Sequence, residues 1–195
     1  MPQLPPVTKA FLLACVALFC LQELVPQVGM LFGWLQLWPI RTGLFYPWQL
    51  ITYAFLHGGL LHLFFNMLGL WMFGAELERV WGSKRYTQIL VASTLSAALV
   101  QLLVTWMMGS MSPTIGASGA LYGLLLSFGM LFPDRIIVPL IPPIPMKAKY
   151  FVAIFGALEL FWGYNNRDGV AHFAHLGGML GAYLLIRYWR MSRRR

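Results

Sequence analysis

Three short stretches place polar side chains inside runs that are otherwise apolar: HGGLLHLFFNM at 57–67, GASGALYG at 116–123 and GVAHFAHLGG at 169–178. Between them they hold an alcohol (Ser118), a phenol (Tyr122), an amide (Asn66) and four imidazoles (His57, His62, His172, His175). An alcohol is a poor nucleophile until a base removes its proton, and histidine is the side chain suited to that work near neutrality. His175 is the base expected for Ser118. Attack on a carbonyl also creates an oxyanion, which needs fixed donors. A helix beginning near residue 118 offers free backbone N–H groups, and His62 and Asn66, four residues apart on one helical face, add two side-chain donors. Ser118 and Tyr122 have the same spacing.

A carboxylate to complete a triad is not evident. Of the six acids, Glu76, Glu78 and Asp134 read as cytoplasmic, Glu23 and Glu159 fall in other apolar spans, and Asp168 stands two turns before His175. A two-residue Ser–His mechanism is therefore expected, with helix packing and Tyr122 holding the imidazole. Glu23 and Glu159 are expected near a span end or turned to the bundle interior. The bland alternative makes Ser118 a packing or capping residue at a glycine-flanked helix start. A rival chemistry is a metal or haem site, with His172 and His175 at i and i+3 joined by His57 and His62. That rival leaves Ser118 and Asn66 without a role.

The elements that must position these groups follow from composition. The 195 residues are 59% hydrophobic and only 10% charged, with a mean hydropathy of +0.68, against about 25% charged residues in a soluble domain. Apolar stretches near the ~20 residues that cross a bilayer recur along almost the whole chain. The fold class expected is all-α: one polytopic membrane domain, a six-helix bundle spanning about 9–29, 50–74, 85–108, 116–132, 149–165 and 170–190. The first span lacks a small-residue cleavage site and is expected to be retained. Cys15 and Cys20 point in different directions on that helix and are expected to be free.

The formal net charge of +8 is explained by topology. Lys9, Arg79, Lys84, Arg85, Arg135, Lys147, Lys149, Arg187, Arg190 and Arg193–Arg195 fall on one side of a six-span chain, and only Arg41 and Arg167 fall opposite. Basic loops stay inside, so both termini are expected to be cytoplasmic, in a plasma membrane that is the inner membrane of a bacterium. The partner of the basic tail is then anionic lipid and not nucleic acid. The external loop at 30–49, rich in Trp, Phe and Leu, is expected in the membrane interface. ELERVWGSKRY reads as a short charged turn, and PDRIIVPLIPPIPMKAK, broken by five prolines, as non-helical. A fourth span from Gly116 to the PDR turn holds about 16 residues and rises about 24 Å, short of a hydrocarbon core of roughly 30 Å. Its N-terminus, with Ser118, is expected below the outer surface, facing a hydrated hollow. His175 shares its face with Gly178 and Ala182, and Gly119 and Gly123 offer similar slack, so the fourth and sixth helices are expected to approach closely.

Together HGGLLHLFFNM, GASGALYG and AHLGG, with the acidic, glycine-containing ELERVWGS, strongly resemble the rhomboid family of intramembrane serine proteases over about residues 45–190. The resemblance implies that Ser118 is the nucleophile and His175 the general base. It implies that His62 and Asn66 stabilise the oxyanion, that Gly116 is the glycine two before the serine, and that Tyr122 packs against the catalytic histidine. His57 matches a histidine near the cavity mouth, with a structural or water-binding part, and Glu78 the acid of a cytoplasmic turn. The family's Trp-Arg motif is met only loosely, by Trp38 and Arg41, and His172 has no part in the mechanism. The substrate implied is a single-pass transmembrane helix with helix-destabilising small residues near the cut, and no metal or other cofactor is implied. A relative that binds membrane clients without cutting them would have lost the serine or the histidine, and both are here. The sequence does not reach the oligomeric state.

Overall fold

The computed structural model describes residues 3–25, 27, 29–140, 142–165 and 171–192, and these are overwhelmingly helical. Helix α1 (Pro6–Leu24) opens with proline at its first position, where the missing N–H is no loss. Its next two N–H groups find a remote acceptor. Glu78 receives Val7 N at 3.0 Å, Thr8 N at 2.7 Å and Thr8 Oγ1 at 2.8 Å. A carboxylate from another helix thus caps α1 and locks it to the bundle.

The aromatic loop that follows is built around one buried amide. Gln49 accepts from Trp38 N at 3.1 Å and donates to Trp34 O at 3.1 Å and Leu44 O at 3.0 Å. It holds the short helices α2 (Gly29–Leu35) and α3 (Gln49–Thr52) with the 3-10 turn Ile40–Thr42 between them. Trp38 Nε1 donates to Gly33 O at 2.7 Å, and the Arg41 guanidinium lies over the Trp106 ring, 4.6 Å from its centroid.

The second predicted span, 50–74, is not one helix. A 3-10 turn at Tyr53–Phe55 ends in extended backbone at Leu56, so His57 lies in a break before α4 (Leu60–Gly69) begins. Through a π-helical turn at Leu70–Gly74 α4 runs on into α5 (Ala75–Met108). The ELERVWGSKRY segment is helical on both sides of Gly82, and the charged turn expected there is made at that single residue. Gly82 breaks the run with φ 75° and ψ 160°, a conformation open to glycine alone at low cost. Pro6–Leu24 and Leu60–Met108 are both long and apolar enough to cross a membrane. The 49 residues of the latter would extend roughly 73 Å unbroken, over twice a hydrocarbon core, which is why the break matters.

Helix α6 (Ser118–Leu131) is only 14 residues long. After it, Ile136–Ile137 (β1) pairs antiparallel with Met146–Lys147 (β2), a small exception to the all-α expectation inside the proline-broken segment. Asp134 closes that segment through Lys147 at 3.1 Å and Lys149 at 2.8 Å. Helices α7 (Ala148–Asn165) and α8 (His172–Ser192) complete the chain. Asp168, Arg167 and the basic residues Arg193–Arg195 lie outside the described residues.

The core is the mutual packing of α5, α6 and α8. Glycine makes it tight: a Cβ on Gly178 would stand 1.8 Å from Gly119 O, and one on Gly123 2.9 Å from Gly178 O. Below this seam Leu70, Tyr86, Leu124, Phe128, Phe151 and Ile186 fill the interior. Large apolar side chains such as Leu13, Phe64, Trp71, Leu103, Phe161 and Leu184 face outward. Cys15 is buried and Cys20 exposed, both free. Glu23 is exposed at the end of α1.

Candidate active site

The residues before α6 form an irregular strand of backbone whose polar groups are tied to the first loop. Leu37 and Thr114 exchange backbone hydrogen bonds of 3.0 and 2.9 Å, and Gly116 N donates to Tyr53 O at 2.9 Å. Tyr53 in turn donates its hydroxyl to Thr94 O on α5 at 2.9 Å. Gly116 turns the chain with φ 125°, and a Cβ there would meet His62 Nε2 at 2.7 Å. Only glycine permits both the backbone angle and the imidazole at that distance. Two residues later Ser118 opens α6, whose first N–H groups have no partner within the helix.

The hydroxyl and the imidazole meet. His175 Nε2 lies 2.7 Å from Ser118 Oγ, across 57 positions of sequence. The Gly119–Gly178 approach, one residue and three residues along from them, sets the two helices close enough for this contact. Tyr122, one turn along α6, stacks on the imidazole with centroids 4.3 Å apart and planes 3° from parallel.

A carboxylate is also present. Glu159 on α7 places Oε2 2.8 Å from His175 Nδ1 and 2.7 Å from His172 Nδ1, while the Tyr122 hydroxyl donates to its other oxygen. The expectation that no acid attends His175 is corrected here, and His172, which was given no part in the mechanism, shares that acid. Glu159 was foreseen only as an acid turned to the bundle interior. Its partners lie 13 to 37 positions away, on helices whose relative rotation the sequence does not give. The signal available was a lone acid in an apolar helix, which demands a polar partner, beside two imidazoles sharing the face of the next helix.

His62, Ser118, His172 and His175 all line one cavity of about 1000 Å³, together with Gln101, Thr105 and the loop 109–115. Gly58 N lies 3.4 Å from His62 Nδ1, and the other ring nitrogen, Nε2, faces Gly116. Asn66 is not among the residues that line the cavity: it is buried, and its Nδ2 donates to His62 O at 2.9 Å, leaving one amide hydrogen. His57 is not at the mouth of the cavity. It is fully buried with its ring edge against His62, centroids 5.1 Å apart.

A metal has a candidate ligand set in Glu159, His172 and His175, whose ligand atoms lie within 4.8 Å of one another. The set differs from the four histidines expected for such a site. Both Nδ1 atoms stand at hydrogen-bond distance from one carboxylate oxygen, closer than the about 3.3 Å that separates ligands around tetrahedral zinc. The donors are already matched by an acceptor, so the residues fit a hydrogen-bond network and not a metal.

The chain matches the Rhomboid domain model over residues 45–192. It is 38% identical to the rhomboid protease GlpG of Klebsiella pneumoniae over 97 residues, 49% of this chain and 34% of that protein. It is 36% identical to RHOMBOID-like protein 5 of Arabidopsis thaliana over 138 residues, 71% of this chain and 42% of that one. The GlpG of Yersinia enterocolitica shares 28% identity over 190 residues, 96% of this chain and 63% of its own. The chain thus spans between about a third and two-thirds of the length of these relatives.

Proposed function

The chain belongs to the rhomboid family of membrane proteins, and we propose that it is an intramembrane serine endopeptidase with Ser118 as nucleophile and His175 as general base. The observation that carries this reading is the 2.7 Å contact between Ser118 Oγ and His175 Nε2. His175 takes the hydroxyl proton as Ser118 attacks the scissile carbonyl, and the tetrahedral oxyanion is held by N–H groups at the start of α6 and by His62, with the spare hydrogen of Asn66 behind it. His175 then returns the proton to the departing amine, leaving an acyl-enzyme. Water, deprotonated by the same ring, hydrolyses the ester and restores Ser118.

The membrane setting supplies the substrate. Six crossings, with both termini cytoplasmic, put the loop 109–115 and the cavity on the external side of a plasma membrane. The 14 residues of α6 rise only about 21 Å, so Ser118 lies below the headgroups and water reaches it through the cavity. The substrate is a single-pass transmembrane segment with small, helix-destabilising residues at the cut, because a carbonyl inside a regular helix is hydrogen-bonded and shielded. Nothing in the mechanism needs a metal or nucleic acid.

The test is cleavage of tagged single-pass proteins in liposomes, with product masses measured. Ser118→Ala and His175→Ala are each expected to abolish cleavage while the proteins still fold, and Asn66→Ala to weaken it less. A fluorophosphonate is expected to label the wild type and not Ser118→Ala, and a chelator to leave the rate unchanged. Undiminished cleavage by Ser118→Ala would refute the assignment.

A further inference from the structure

We propose that Glu159 is a positioning residue that completes the relay: its carboxylate holds the Nδ1–H of His175, which leaves Nε2 as the acceptor for the Ser118 hydroxyl. The inference rests on the serine endopeptidase reading above and concerns how the base is prepared.

A neutral imidazole carries a single ring proton, and only the form protonated on Nδ1 can accept from Ser118 through Nε2. A carboxylate accepts and does not donate, so the 2.8 Å contact of Glu159 Oε2 with His175 Nδ1 selects that form. The same oxygen takes the Nδ1–H of His172 at 2.7 Å, and the other oxygen takes the Tyr122 hydroxyl. With Glu159 only 4% exposed, three donors on one carboxylate replace the water it has lost.

The ring is therefore held from three directions. Glu159 fixes one edge, Ser118 meets the other, and Tyr122 covers a face. When His175 takes up the serine proton it becomes a cation in a water-poor site, and an anion at 2.8 Å with an aromatic face beside it stabilises that cation without moving. The reacting proton passes between Ser118 and Nε2 only; Glu159 keeps its charge throughout. The backbone is shaped for this contact. Gly163, one turn beyond Glu159 on α7, sits so close to α8 that a Cβ would stand 3.0 Å from the Phe173 ring and 3.2 Å from His172 Cβ. Tyr122 acquires a second duty, since one side chain both stacks on the base and orients the acid that holds it.

The test measures kcat and KM of Glu159→Gln and Glu159→Asp on folded protein in liposomes, beside Ser118→Ala. Glu159→Gln is expected to lose about 100-fold in kcat with KM within about threefold, the pattern of a lost transition-state interaction. Glu159→Asp, which keeps the charge on a shorter arm, is expected to recover at least about tenfold of that loss. A fall of less than tenfold in kcat for Glu159→Gln, or a change confined to KM, overturns the proposal. Should Glu159→Gln fail to fold, the histidine ring nitrogens of the wild type decide by 15N NMR, with His175→Ala giving the assignment. A resting His175 protonated on Nδ1 supports the relay, and one protonated on Nε2 overturns it. If Ser118→Ala is dead while Glu159→Gln works at the wild-type rate, this inference alone fails; if Ser118→Ala cleaves, the endopeptidase reading fails with it.

Discussion

Gly116 shapes the backbone that leads into Ser118. Its φ of 125° and the His62 ring 2.7 Å from where a Cβ would stand make Gly116→Ala doubly unfavourable. Backbone strain of about 1–3 kcal/mol and a displaced His62 are expected to lower kcat/KM about 10- to 100-fold, read by cleavage assay on protein shown to be folded. Tyr122 separates its two contacts cleanly. Tyr122→Phe keeps the stack on His175 and loses only the hydroxyl on Glu159, so a fall of about three- to tenfold in kcat is expected. Tyr122→Ala loses both, and a fall beyond about 100-fold is expected in the same assay. At this scale the sequence was generous. Ser118 and His175 come within 2.7 Å, the contact an alcohol in need of a base called for, and Tyr122 stacks on His175 as the family resemblance implied. Glu159 escaped because its meaning depends on which way α7 is rotated, a property of tertiary packing.

The seam between α6 and α8 has no room for a methyl group. A Cβ on Gly178 would overlap Gly119 O at 1.8 Å, so Gly178→Ala must part the helices that carry the hydroxyl and the base. A loss of at least about 2–3 kcal/mol is expected, seen as a lower melting temperature in detergent, with residual folded protein nearly inactive. Gly33 is the matched control: nothing lies within 4 Å of its Cβ position, and Gly33→Ala is expected to be neutral or slightly stabilising. The close approach of these two helices was legible as small residues at i, i+3 and i+4. The break at 56–59 was not. An apolar run reads as a single span whether or not its backbone is continuous, whereas the charged turn was legible and only its concentration at the one residue Gly82 was not.

Over the whole molecule, Glu78 is the clasp that joins the first helix to the rest. Burial acts to raise its pKa, but the N–H groups of Thr8 and Val7 and the hydroxyls of Ser83 and Thr8 together outweigh it and hold the carboxyl below its ordinary 4.5. A depressed folded-state value means the stabilisation is fully present above 4.5 and is lost as pH falls through the lower folded value. The melting temperature of the wild type is expected to drop across that acidic window, and that of Glu78→Gln to start lower at neutral pH and drop less. Parallel curves for the two proteins would contradict this. One further consequence follows from the order of the chain. The alcohol at 118 leaves the ribosome 57 positions ahead of its base, roughly 3–11 s at ordinary rates of synthesis. During that interval a nascent chain already carries Ser118 but not yet the imidazole that meets it. The two groups that stand 2.7 Å apart in the folded chain cannot meet until α8 has been made and has packed against α6.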